Sequence, residues 1–121
     1  WTHHYNYKTS FMEALMNINS ASTGFAAVGS GPRLQVLTLL VRSGEAGLTT
    51  GDIQQKLDIP ASTLTHHLKH LADGNVIKQV KQGRAMFNIA NYDQLHALAE
   101  FLLNECCVDA LPELELEQVH V

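Results

Sequence analysis

Residues 59–71 read Ile-Pro-Ala-Ser-Thr-Leu-Thr-His-His-Leu-Lys-His-Leu, which sets Leu64, Leu68 and Leu71 at spacings of four and three behind a proline. On a helix that spacing makes one apolar stripe. The helix predicted over 61–71 therefore has to lie on a core, with Ser62, Thr63, Thr65, His66, His67 and Lys69 on its polar side. Asp58-Ile59-Pro60 is a tight break. Ahead of it, Thr49 or Thr50 can cap a short helix running to Leu57, with Asp52 favouring its positive end. Two short helices joined by a three-residue turn, the second polar on its outer face, form a helix-turn-helix.

The flanking segments fit around this unit. Asp73-Gly74-Asn75 stops the second helix, and apolar runs at 76–80 and 85–89 then flank Lys81-Gln82-Gly83-Arg84, the pattern of a β-hairpin with a basic tip. Before the unit, Leu34, Val36, Leu37, Leu40 and Val41 make a core helix that ends at Ser43-Gly44. Phe11, Leu15 and Ile18, followed by Phe25, Ala26 and Val28, predict one helix kinked near Gly24 and ending at Gly29. Leu95, Leu98, Ala99, Leu102 and Leu103 predict a last helix over 92–107, and Ala110-Leu-Pro112 separates it from an acidic tail. The expected architecture is mainly α with a small β-hairpin, a winged helix-turn-helix. Residues 1–19 form an arm or helix extension, 20–107 the domain, and 108–121 the tail. Phe25, Phe87 and Phe101 are expected in the core.

A net charge of −4 argues against a nucleic-acid partner only if it is spread evenly, and it is not. Residues 61–84 carry Lys69, Lys78, Lys81 and Arg84 against the single acid Asp73, whereas residues 93–117 carry seven acids and no Lys or Arg. A weakly basic face backed by an acidic one can dock on phosphates with a salt-sensitive affinity. Ser, Thr and His reach base edges and phosphates at short range. Lys69 suits the backbone, and Lys81 and Arg84 on the wing would neutralise flanking phosphates. The expected DNA-contacting set is therefore Ser62, Thr63, Thr65, His66, His67, Lys69, Lys81 and Arg84.

Several motifs together resemble one family. Ala27-Val-Gly-Ser-Gly-Pro-Arg-Leu-Gln-Val-Leu-Thr-Leu-Leu40 is similar to the opening of ArsR/SmtB-type metal- and metalloid-responsive repressors. Leu48-Thr-Thr-Gly-Asp-Ile53, residues 59–71 and Gly83-Arg-Ala-Met-Phe-Asn88 resemble that family's third helix, recognition helix and wing. The resemblance covers roughly residues 20–107. It implies a homodimer built through the first and last helices, binding to double-stranded operator DNA without ligand, and release by an inducer.

Departures from the family narrow the inducer. The segment Leu48-Thr-Thr-Gly-Asp has no thiol where the best-known arsenic and cadmium sensors carry cysteines. Asp93 and His96 only half resemble a zinc site of the last helix. Residues 34–41 lack the cysteine that persulfide sensors use. Cys106 and Cys107 remain, similar to the vicinal pair of some arsenic-responsive relatives. Three readings fit them: inert fillers at a helix end, a site for trivalent arsenic or antimony, and a redox pair forming a disulfide. Two thiols suit a methylated or aromatic trivalent arsenical, in which carbon fills the third position, and leave inorganic arsenite one sulfur short. No required cofactor is expected.

His66 and His70 have the spacing of a two-histidine chelate, with DNA contact or solvation the preferred reading. Asp93 and His96 read as a surface pair that His120 of the tail can join. The absence of a phosphate-binding glycine loop, a nucleophile–base pair and a complete metal site speaks against an enzyme. Adjacent cysteines and the lack of a secretory signal or an 18-residue apolar run predict a cytoplasmic protein with no membrane partner. The competing readings are a thiol-redox repressor and a winged-helix protein-interaction module, which would show apolar groups on the outer helix face.

Overall fold

The computed structural model describes residues 16–110. The expected arm over 1–10, the part of the expected first helix that carries Phe11 and Leu15, and the tail from 111 onward lie outside that range. The elements are α1 (Ile18–Val28), α2 (Gly31–Ser43), β1 (Leu48–Thr49), α3 (Thr50–Leu57), α4 (Ala61–Asp73), β2 (Ile77–Gln82), β3 (Ala85–Ala90) and α5 (Tyr92–Leu103). The strands form one antiparallel sheet in the order β1-β3-β2. This is a winged helix-turn-helix, mainly α with a small sheet, in which α3 and α4 form the helix pair and β2–β3 the wing.

Local chemistry sets the boundaries. Asn17 caps α1 by accepting from the Ser20 amide at 2.9 Å, so the helix starts at Ile18. Thr49 and Asp52 close a reciprocal capping box on α3, at 3.1 and 3.2 Å. Asp58 ends α3 in the left-handed region, φ 53°. Arg33 on α2 donates from Nε to the Ala27 carbonyl at 2.7 Å and from Nη2 to that of Ala26 at 3.1 Å, which satisfies the open end of α1 and joins the two helices.

The core collects Val36, Leu37 and Leu40 from α2, Ile53 from α3, Leu64, Leu68 and Leu71 from α4, Val76 and Ile77 beside and in β2, and Leu98 from α5. Phe25 and Phe101 are half-buried and pack against this core. Phe87 is half-buried on β3, outside the core cluster.

Three expectations change. Helix α1 runs through Gly24 without a break, and Gly24 is the point where α5 comes closest: an added Cβ would stand 2.9 Å from a Leu98 δ carbon. Helix α5 ends at Leu103, not at residue 107. Leu102 and Leu103 are 68% and 65% exposed, so among the described residues no apolar surface holds another turn. The hairpin loop is the two residues Gly83-Arg84, with Gln82 paired to Ala85, so Lys81 belongs to the strand opposite Met86. Gly83 takes φ 63°, the conformation a two-residue hairpin turn demands.

The tightest approach joins α1 to the end of α4. A Cβ on Gly74 would overlap that of Ala27, and the backbone φ at Gly74 is an ordinary −80°, so only space demands glycine there. Gly74→Ala should destabilise the fold by about 1–3 kcal/mol, and Ala27→Gly in the same chain should recover part of that loss. Urea denaturation of the two single variants and the double variant checks this; strictly additive losses would remove the proposed contact.

Candidate nucleic-acid interface

Helix α4 is built to be held from one side. Leu64 and Leu71 are fully buried and Leu68 is 2% exposed, while Ser62, Thr63, Thr65, His66, Lys69 and His70 are exposed on the other faces. Pro60 precedes the helix and no side chain caps it. The first amides of α4 are thus left for solvent or an anion, and Ser62 and Thr63 stand among them. Lys69 pairs with Asp73 at 3.0 Å, both well exposed, an i,i+4 contact of small energetic weight.

His67 departs from the expected set. Its ring is half-buried and Nδ1 is shut off from solvent with no hydrogen-bond partner. Burial holds the imidazole below its ordinary pKa, and the nearby Arg33 guanidinium, His66 and His70 act in the same direction. The sequence placed His67 with the outward groups; the structure turns it toward α2, where Arg33 sits. His70, outside the expected set, is exposed beside His66, and the four-residue spacing was the available signal.

The wing is fixed to the helix pair by Asn88, the only side chain among the described residues that is both polar and 0% exposed. Its Nδ2 donates to the Leu48 carbonyl and to Thr50 Oγ1, each at 3.2 Å, and its Oδ1 accepts from Gln79 Nε2 at 2.9 Å. One residue on β3 thereby ties β1, the start of α3 and β2 together. Lys81 and Arg84 are exposed on the wing. β1 was not read from the sequence, because two residues carry no period; it pairs Leu48 with Asn88 and Thr49 with Phe87.

Cys106 and Cys107 lie in the turns after α5, both exposed, with their sulfurs 3.4 Å apart. Cys107 takes a positive φ of 66°, unusual for a side-chain-bearing residue. His96 faces Glu100 at 4.0 Å. Among the described residues no three His, Cys, Asp or Glu side chains converge as a metal site, and no single helix is long and apolar enough to cross a membrane.

An outward polar helix after a short helix and turn, with a basic hairpin locked beside it, defines the class: a winged helix-turn-helix domain of the kind found in DNA-binding transcription regulators. Residues 29–80 match a family described as a helix-turn-helix domain. Among solved structures, an ArsR-like transcriptional regulator from Rhodococcus sp. RHA1 superposes with a TM-score of 0.65 at 22% identity, over 84% of this chain and 90% of that one. HlyU from Vibrio cholerae N16961 gives 0.59 at 26%, over 76% and 99%. A homodimeric winged helix-turn-helix DNA-binding domain from Mycobacterium bovis, a possible ArsR-family regulator, gives 0.58 at 22%, over 74% and 82%. No curated protein matches. The chain has the winged-helix fold of ArsR-family regulators.

The lowered pKa of His67 has a direction that can be measured. As pH falls through about 6.5, the unfolded chain takes up this proton before the folded one does, so stability present at higher pH is lost until the folded imidazole also titrates. The urea midpoint should therefore fall more steeply for the wild type than for His67→Gln between about pH 7.5 and pH 5.5. Parallel curves would show that His67 contributes nothing to the pH dependence.

Proposed function

We propose that this protein is a homodimeric repressor of the ArsR type that binds double-stranded operator DNA through α4 and the wing, and leaves it when a trivalent arsenical or antimonial engages Cys106 and Cys107. The observation that carries the DNA reading is the division of α4, with three leucines buried and Ser62, Thr63, Thr65, His66 and Lys69 outward, beside a wing held by Asn88. An α-helix fits the major groove, where hydroxyl, imidazole and ammonium groups meet base edges and phosphates. Lys81 and Arg84 then contribute sequence-independent affinity through counterion release. A protein-interaction module is disfavoured, because the outward face of α4 carries no large apolar side chain.

The dimer reading rests on large apolar side chains left exposed on the first and last helices and just beyond the last. Ile18, Leu102, Leu103 and Val108 are all about two-thirds exposed, at 68%, 68%, 65% and 66%. A second copy packed against these two helices would place two α4 helices for the two halves of an inverted repeat.

The inducer reading rests on the cysteine pair. Sulfurs 3.4 Å apart and open to solvent can both bond one soft centre. With phenylarsine oxide, two As–S bonds form, the As–O bond breaks, and the two thiol protons leave with the oxygen as water; arsenic stays trivalent. The same adjacency supports a second reading, oxidation to a disulfide by peroxide, in which the two sulfurs lose two electrons.

Anisotropy on an inverted-repeat operator tests the DNA reading. Lys81→Ala and Arg84→Ala should each lower the slope of log affinity against log salt by about 0.9 and weaken all sequences alike. Alanine at Ser62 or Thr65 should instead reduce discrimination between operator and scrambled DNA, by about 1–3 kcal/mol where a base contact is lost. No binding at low salt would refute the reading. For the inducer, native mass spectrometry should show one phenylarsine adduct per chain, abolished by Cys106→Ser or Cys107→Ser, and the same reagent should release operator DNA. An adduct without release would confine the cysteines to binding, and release by peroxide alone would favour the redox reading.

A further inference from the structure

On the exposed side of α4 the rings of His66 and His70 stand with their Nε2 atoms 3.2 Å apart, ring centroids 4.5 Å apart and planes at 78°. Both nitrogens are ring atoms that carry a lone pair in one tautomer, and they face each other across one turn of helix. Two imidazole nitrogens sharing a tetrahedral zinc ion at about 2.0–2.1 Å each lie about 3.3 Å apart. The observed 3.2 Å separation is thus close to that of a bidentate chelate, and turning the rings to aim both lone pairs at one ion completes it. Histidines four apart on one helical face are the spacing at which a helix holds a metal from two successive turns.

We propose that His66 and His70 form a site for one divalent, imidazole-preferring cation, with zinc as the representative. The site stands on the geometry of this pair and is independent of whether the chain reads DNA. Without metal, one Nε2–H donates to the other Nε2. Coordination needs both lone pairs, so the donor ring shifts its proton from Nε2 to Nδ1; both rings stay neutral and no net proton is released. The Asp73 carboxylate, next along this side of the helix, is engaged by Lys69 at 3.0 Å. Water therefore completes the coordination, which makes the site weaker than one with three or four protein ligands. His67 lies between the pair in sequence but is turned inward and half-buried, and takes no part.

The test uses the full chain carrying Cys106→Ser and Cys107→Ser, so that thiolates do not compete for zinc, with ring nitrogens of histidine followed by ¹⁵N NMR as zinc chloride is added. The Nε2 signals of His66 and His70 should move together at the same zinc concentrations. Adding His66→Gln should weaken the response at His70 about tenfold or more, and His70→Gln should do the same to His66, with helical circular dichroism unchanged. A His70 response that survives His66→Gln at the original concentration overturns the site. So does zinc that moves only the signals of other histidines.

Discussion

Everything that faces outward on this domain depends on one buried contact surface, the leucine stripe of α4 against α2 and α1. Leu64, Leu68 and Leu71 are at most 2% exposed, and each is worth about 1.5–3 kcal/mol as buried surface. Three leucines at spacings of four and three leave the helix no rotational freedom, because a turn about its axis would expose them. The outward direction of Ser62, Thr65, His66 and Lys69 is therefore a consequence of core energetics. A polar face held in this way can be varied without loss of the fold, since exposed substitutions seldom shift stability by more than about 0.5 kcal/mol.

The wing needs a separate device, because a two-stranded hairpin is marginal alone and most of β2 beyond Ile77 is exposed. Asn88 supplies it. A buried amide with donors and acceptor satisfied costs little, whereas the same amide unpaired would cost about 1–3 kcal/mol. The arrangement holds only when β1, the cap of α3 and Gln79 are all in place. The angle between wing and α4 is set by polar pairing, the rotation of the helix by apolar packing.

That division explains what could be read from the sequence. Periodicity finds apolar stripes, so α2, α4 and the helix-turn-helix order were recovered, as were caps such as Thr49 with Asp52. What depends on tertiary space was not. Gly24 looks like a breaker in one dimension and is a close-approach point in three, while Gly74 ends α4 as its sequence predicts and is a close-approach point as well. Asn88 reads as an ordinary wing residue until β1 supplies the carbonyl it needs. His67 differs from its neighbour His66 by one step of 100°, too small a rotation for pattern reading to separate a half-buried ring from an exposed one. The end of α5 was overrun because Leu102 and Leu103 continue the apolar pattern although none of the described residues covers them.

The same close approaches bear on how one end of the domain can influence the other. Leu98 of α5 rests on Gly24 of α1, Ala27 lies one turn further along α1, and Ala27 meets Gly74 at the end of α4. Neither glycine position has room for a methyl group without displacement, so α1 has little freedom to absorb movement between α5 and α4. A change at the end of α5 that shifts Leu98 would be passed on as a rigid displacement of α1 and, through Ala27, to the C-terminal end of the reading helix. These contacts fix where any coupling between the two ends would be felt. Loosening the Ala27–Gly74 contact would leave α4 folded by its leucines while uncoupling its orientation from α5, which separates transmission from DNA contact in a way that substitutions on the outward face cannot.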